Sequence, residues 1–177
     1  MAEFVSFDPN VEVLGQSMLS VIAGMSAGAR PLLAKYGLDK LEAEKWYKLQ
    51  PILDFYREIS LSKNAKLNLT STGTKVPENA IFPPEIDSIQ KAFISLDDAY
   101  HINHRGGDIG HYSSSVVNSR QIDVLADNPF PCDLDYGIIL GLARRFKPAN
   151  GVLAVFHDTN SPCRKKGADS CLYHVTW

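Results

Sequence analysis

Apolar residues recur at helical spacing through the first third of the chain. From Val11 they fall at Leu14, Met18, Val21, Ile22, Met25, Ala29, Leu32 and Leu33, which predicts a helix over 11–33 with Gly37 placed to close it. A second set, Leu41, Trp46, Leu49, Ile52, Leu53, Tyr56 and Ile59, predicts another helix. Pro51 should kink it or open a new one, because proline has no N–H to donate. The first helix carries apolar residues on more than one side, so association into a homodimer through Val11–Leu33 is expected. Ser62–Pro84 is rich in Asn, Ser, Thr, Gly and Pro and predicts loop, with one short strand at Leu67–Leu69. Pro83-Pro84-Glu85 then opens a third helix, with Ile86, Ile89, Phe93, Leu96 and Tyr100 as its stripe.

After Gly110 the period shortens to two. Tyr112–Val117 and Gln121–Ala126 predict two strands joined at Asn118-Ser119, and Asp127-Asn128-Pro129 breaks the second. A helix at Asp133–Phe146, a strand at Val152–Asp158 and a last strand at Leu172–Thr176 follow. Helices first and strands later predict an α+β fold, with an antiparallel sheet of four to five strands covered on one face by long helices. One domain spans 1–177, as N-terminal helices over 1–60 and an α+β core over 61–177.

Composition narrows the function classes. The 18 Lys and Arg nearly balance the 20 Asp and Glu, leaving a net charge of −2, which supplies no field for tracking phosphates. No nucleic-acid partner is expected. Three cysteines do not make a secreted disulfide framework, and the N-terminus lacks the basic and apolar regions of a signal peptide. The run Val13–Ala29 is uncharged but short and interrupted by polar residues, so no membrane span is expected and the cytoplasm is the default.

Two clusters could carry chemistry. Cys163 and Cys171 flank the basic turn C-R-K-K-G-A-D-S-C, and Cys132 lies upstream before the helix at Asp133. Three thiolates in one corner would suit a structural zinc, with His157 as the expected fourth ligand and Asp158 or His174 as alternatives. The helix N-terminus beside Cys132 and the cations Arg164, Lys165 and Lys166 both favour thiolate. The plain alternative is three small buried thiols packing as apolar groups. His101 and His104 share a helix face, with Asp108 and His111 nearby; they read as a metal or acid–base site, or more simply as a helix stop. Gly137 and Gly141, four apart, predict close packing of their helix on the sheet. No nucleotide loop, nucleophile elbow or zinc-protease helix is present, and a Cys–His pair drawn from Cys132 has no third group to orient it. That points toward binding rather than catalysis.

The segment P-F-P-C-D-L-D-Y-G-I-I-L-G-L, followed by a strand and then C-x7-C running into a terminal strand, resembles the 4-vinyl-reductase domain family over about Asp127–Trp177. The resemblance implies the fold of the NO-signalling and Golgi-transport ligand-binding domains, and a zinc held by Cys132, Cys163 and Cys171. The family's carboxylate position is Asn160 here, a departure from the pattern. By the same resemblance the chain is a sensor for a small apolar or aromatic ligand, acting through a separate output protein. The aromatics Trp46, Tyr56, Phe93, Tyr100, Tyr112, Phe130 and Phe156 are the candidate ligand contacts. The alternatives are a tetrapyrrole vinyl reductase or its accessory, which would need a hydride donor, and a protein-interaction module without ligand.

Overall fold

A computed structural model of the chain describes residues 3–23, 25 and 30–177. The expected helix over 11–33 is divided. Glu12–Leu14 forms a strand, β1; Gly15–Ala23 forms α1; and Pro31–Lys35 forms a short α2. Ala29 of the expected stripe lies outside the described residues. Strand prevails at 12–14 because partners from distant sequence are available: β1 pairs antiparallel with β2 (Trp46–Lys48) on one side and β3 (His104–Arg105) on the other. Val11, Val13, Met18, Val21, Met25 and Leu33 are buried in the chain's own core. These apolar positions therefore carry no argument for a dimer.

Pro51 opens a helix rather than kinking one. It is the third residue of α3 (Leu49–Ser60), where the first turn has no intrahelical use for its N–H. α3 buries Leu49, Ile52, Leu53, Phe55, Tyr56 and Ile59.

The expected loop over 62–84 is instead mostly helix, α4 (Ala65–Asn79). Its Asn, Thr, Ser and Gly residues are poor helix formers, so propensity alone misdirects here. Packing supplies the reason. α4 lies along α7 (Cys132–Phe146), and glycines on both sides let the backbones approach. A Cβ on Gly73 would sit 2.9 Å from the Cα of Gly137, and one on Gly141 would sit 2.7 Å from the Thr74 carbonyl oxygen. Gly137 and Gly141 thus serve helix-on-helix contact, not the helix-on-sheet contact expected.

The third helix starts later than the prolines and is broken in two, α5 (Ile89–Ile94) and α6 (Leu96–Ile102), meeting at Ser95. Ser88 caps α5, its hydroxyl accepting from the Lys91 N–H. The C-terminal sheet follows the alternating pattern closely: β4 (His111–Asn118), β5 (Gln121–Asp127), β6 (Ala154–His157) and β7 (Cys171–Thr176). They lie in the order β4-β5-β7-β6, antiparallel throughout. Ile122, Val124, Ala126, Cys171, Tyr173 and Val175 alternate inward and are buried. The architecture is α+β, as expected, with a second, three-stranded sheet beside the four-stranded one. No helix of the described residues is long and apolar enough to cross a membrane.

Candidate functional site

A cavity of about 160 Å³ opens between α1, α4, α6, α7 and the inner side of β4. Its wall is built by helical periodicity. α7 contributes Leu134, Ile138 and Leu142, four residues apart on one stripe, and α1 contributes Met18 and Val21. Of the seven aromatics singled out in the sequence, Tyr56, Tyr100, Tyr112 and Phe130 reach this wall. The other three are elsewhere. Phe93 is fully buried in the core; Phe156 alternates to the outer face of the sheet and is 57% exposed; Trp46 lies on the small sheet under the Arg105 guanidinium, 4.3 Å from its ring centre.

Few polar groups face the cavity. The Ser17 hydroxyl donates to Asn103 Oδ1 at 2.7 Å, and the Tyr100 hydroxyl donates to the Ile109 carbonyl at 2.6 Å, so both are engaged. The Tyr112 hydroxyl donates to Asp135 behind the wall. His104 differs. Its Nδ1 lies 2.8 Å from the Tyr100 carbonyl oxygen, so Nδ1 carries the proton and donates, leaving Nε2 as an acceptor. That Nε2 is buried and has no partner among the described residues. Burial depresses the His104 pKa to about 4, so the ring is neutral at physiological pH. The expectation that His101 and His104 face one ion fails, because His104 turns inward while His101 stays at the surface beside Asp97 and His111.

The thiols do meet. Cys132 Sγ lies 3.5 Å from Cys163 Sγ and 3.1 Å from Cys171 Sγ, and a ring nitrogen of His157 falls within 4.8 Å of all three. All three cysteines are unpaired and buried. His157 stacks on Tyr173 at 4.8 Å between ring centres, with its Nε2 buried and unpartnered. The helix N-terminus does not make Cys132 the thiolate, contrary to the sequence reading. Its thiol donates its one proton to the Glu3 carboxylate at 2.7 Å with Cys171 Sγ 3.1 Å away, and the Cys171 contact, burial and Glu3 push its pKa up. Cys171 is pushed down, by the Cys132 hydrogen bond and by the adjacent Arg164.

Beside the thiols lies a buried ion pair. Arg164, 3% exposed, meets Asp135, fully buried, and also donates to the Asn128 side chain and carbonyl. Burial raises the Asp135 pKa, opposed by the Arg164 charge. Burial, the largest single influence, would lower the Arg164 pKa, but Asp135, Cys171 and Tyr173 together outweigh it and raise the value. A chain of contacts therefore runs from the cavity wall at Tyr112 through Asp135 and Arg164 to Cys171. Sequence reasoning missed Asp135, which reads as an ordinary first-turn acid, and Asn128, which reads as a turn residue. The one available signal was Arg164 between two cysteines.

No family model matches the chain, and no curated protein matches it. Solved structures do. An H-NOX protein from S. oneidensis in the Fe(II) ligation state aligns with a TM-score of 0.68 at 16% identity, over 92% of this chain and 95% of its own. A Cs H-NOX mutant aligns at 0.64 and 13%, over 92% of each chain. An Fe(II) unliganded H-NOX mutant from K. algicida aligns at 0.63 and 8%, over 92% and 95%. These structures are described by Fe(II), Fe(II)NO and Fe(II)CO states and by haem distortion. The neighbours of this fold carry haem, which overturns the zinc expected from the cysteines as its cofactor. The chain adopts the fold of the H-NOX domains.

Proposed function

We propose that the chain is a small-molecule sensor domain whose ligand is a compact, uncharged aromatic molecule bearing one hydroxyl, held in the cavity and reported to a separate output protein. The unpartnered Nε2 of His104 carries this reading. A buried acceptor left without a donor costs about 1–3 kcal/mol, and a ligand hydroxyl would remove that cost. The remaining wall is apolar and aromatic, the usual setting for a few orienting polar groups. The cavity is close in size to engineered ones of about 150 Å³ that take benzene. The resemblance to the 4-vinyl-reductase domain family, which implies a sensor for a small apolar or aromatic ligand, points the same way.

Haem is the group named for the structural neighbours. His104 Nε2 has a free lone pair and Nδ1 a hydrogen bond, so this imidazole could hold an iron. Haem also brings two carboxylates, and no Lys or Arg lines the cavity among the described residues. The lining does not fit haem.

Upon binding, the ligand would pack against Tyr100 and Tyr112 and accept support from the rigid α7 stripe. Tyr112 leads to Asp135 and Arg164, which offers a route from the cavity to the far end of the sheet.

Calorimetric titration with phenol and with toluene tests the reading. Phenol should bind more tightly, and His104→Leu should weaken phenol about tenfold while leaving toluene nearly unchanged, tenfold being about 1.4 kcal/mol, one hydrogen bond's worth. Equal losses for both ligands, no saturable binding of either, or stoichiometric uptake of haem with an intense Soret band would each overturn it.

A further inference from the structure

We propose that Asp97, His101 and His111 form a binding site for one divalent first-row transition ion of the Co(II) or Ni(II) class, clamping α6 to the start of β4. One ligand atom from each residue lies within 4.8 Å of the others. Asp97 and His101 are one helical turn apart on α6, and His111 opens β4. The two imidazole rings have centres 4.9 Å apart with planes 33° from parallel, and each has its Nδ1 near one oxygen of the Asp97 carboxylate, His101 at 3.5 Å and His111 at 3.4 Å.

The ligands are positioned before any ion arrives. Asp97 Oδ1 accepts the backbone N–H of Tyr112 at 2.8 Å, which fixes the carboxylate, while Oδ2 lies 3.4 Å from His111 Nδ1. His101 Nδ1 lies 2.9 Å from the Asp97 backbone carbonyl, so it donates there and Nε2 keeps its lone pair. That hydrogen bond fixes the tautomer and leaves Nε2 as the nitrogen free to bind an ion. Side-chain exposures of 40% for His101 and 60% for His111 leave an entry path and room for water ligands.

Two imidazoles and one carboxylate select borderline ions over the all-oxygen preferences of calcium and magnesium. A surface ion pair is the simpler use of such residues, but it needs only one histidine. His101 and His111 each adjoin a cavity residue, Tyr100 and Tyr112. The ion would thus tie together two parts of the cavity wall, whatever the cavity holds.

Co(II) titrated into the chelator-stripped full chain, followed by calorimetry and absorbance, tests the site. One equivalent should bind with the weak visible bands of nitrogen and oxygen ligation and without strong near-ultraviolet thiolate charge transfer. At a hundredfold excess over Kd the thermal midpoint should rise about 5–10 °C. His101→Gln and His111→Gln should each lower affinity at least about tenfold and abolish the thermal shift. Both positions are at the surface, and unchanged circular dichroism will show that the variants fold. Cys163→Ser should leave the binding untouched. No saturable binding below about 1 mM, an isotherm unchanged in both histidine variants, or a thiolate band lost in Cys163→Ser would overturn the proposal.

Discussion

Two regions of the molecule share α7 and each contains a buried imidazole nitrogen without a partner among the described residues, His104 Nε2 in the cavity and His157 Nε2 beside the thiols. Around His104 the surroundings are apolar and open onto a void. Around His157 they are thiols, an aromatic stack and the neighbouring Arg164–Asp135 pair, closely packed. The same side-chain atom therefore faces two different chemistries. In the cavity no described residue donates to His104 Nε2. At the thiol corner the polar groups largely serve one another, and the region behaves as a structural knot. One helix supplies both, with Leu134, Ile138 and Leu142 on one stripe and Cys132 and Asp135 at its N-terminal end.

The knot is where a single change should cost most. Arg164→Met leaves Asp135 buried without its counter-charge, and urea unfolding should show a loss of about 3–5 kcal/mol. A loss below about 1 kcal/mol would mean that the pair is solvated and that the corner is no tighter than the cavity. Gly137→Ala should harm both regions together, since the added methyl meets the α4 backbone at Thr70 and forces α7 away. Overpacking of this kind costs about 1–3 kcal/mol, and ligand binding in the cavity should weaken in the same variant.

The comparison sharpens with pH. Because the folded His104 pKa is depressed to about 4, the unfolded chain binds more protons than the folded one between about 4 and about 6.5. Stability should therefore fall as pH drops through that window, by about 1–3 kcal/mol from this residue. Measured as the difference between the chain and His104→Phe, the slope should vanish in the variant; an unchanged slope would place the protonation elsewhere. His174 gives the opposite sign and the smallest effect. Asp123 accepts its hydrogen bond at 2.7 Å and raises its pKa, so its contribution is full below about 6.5 and is lost as pH rises through the folded value. His174→Gln should remove at most about 1 kcal/mol, seen only on the acid side of that transition.

Much of the C-terminal half was legible from the chain. The alternation of Ile122, Val124 and Ala126, the break at Asp127-Asn128-Pro129 and the helix at Asp133–Phe146 appear within a residue or two of their expected bounds. Period-two patterns over a half-buried sheet are a direct record of which side faces the core. The N-terminal half was less legible. β1, β2 and β3 are two or three residues each and exist only because they find one another across some ninety residues of sequence, as with Glu12 opposite Arg105. α4 has a composition that argues for loop, and its helix is stabilised by a glycine-lined contact with α7 that no local window contains.

The site divides in the same way. Spacing placed Cys132, Cys163 and Cys171 together with His157, because a helix start and the two sides of one turn are local features that the sheet then joins. The sequence also picked out four of the aromatics at the cavity. It could not tell His101 from His104: both lie at the end of one helix, and the direction of each ring is set by what packs there, Phe130 and the void against His104, Asp97 and His111 against His101. Asp135 and Arg164 were invisible as a pair, since charge burial depends on solvent exclusion by elements brought from both ends of the chain. What the sequence by itself determined is the set of faces, through periodicity. Which face meets which, and so which polar atom is left without a partner, was decided by the tertiary structure, because burial is a property of the assembled core and not of any one segment.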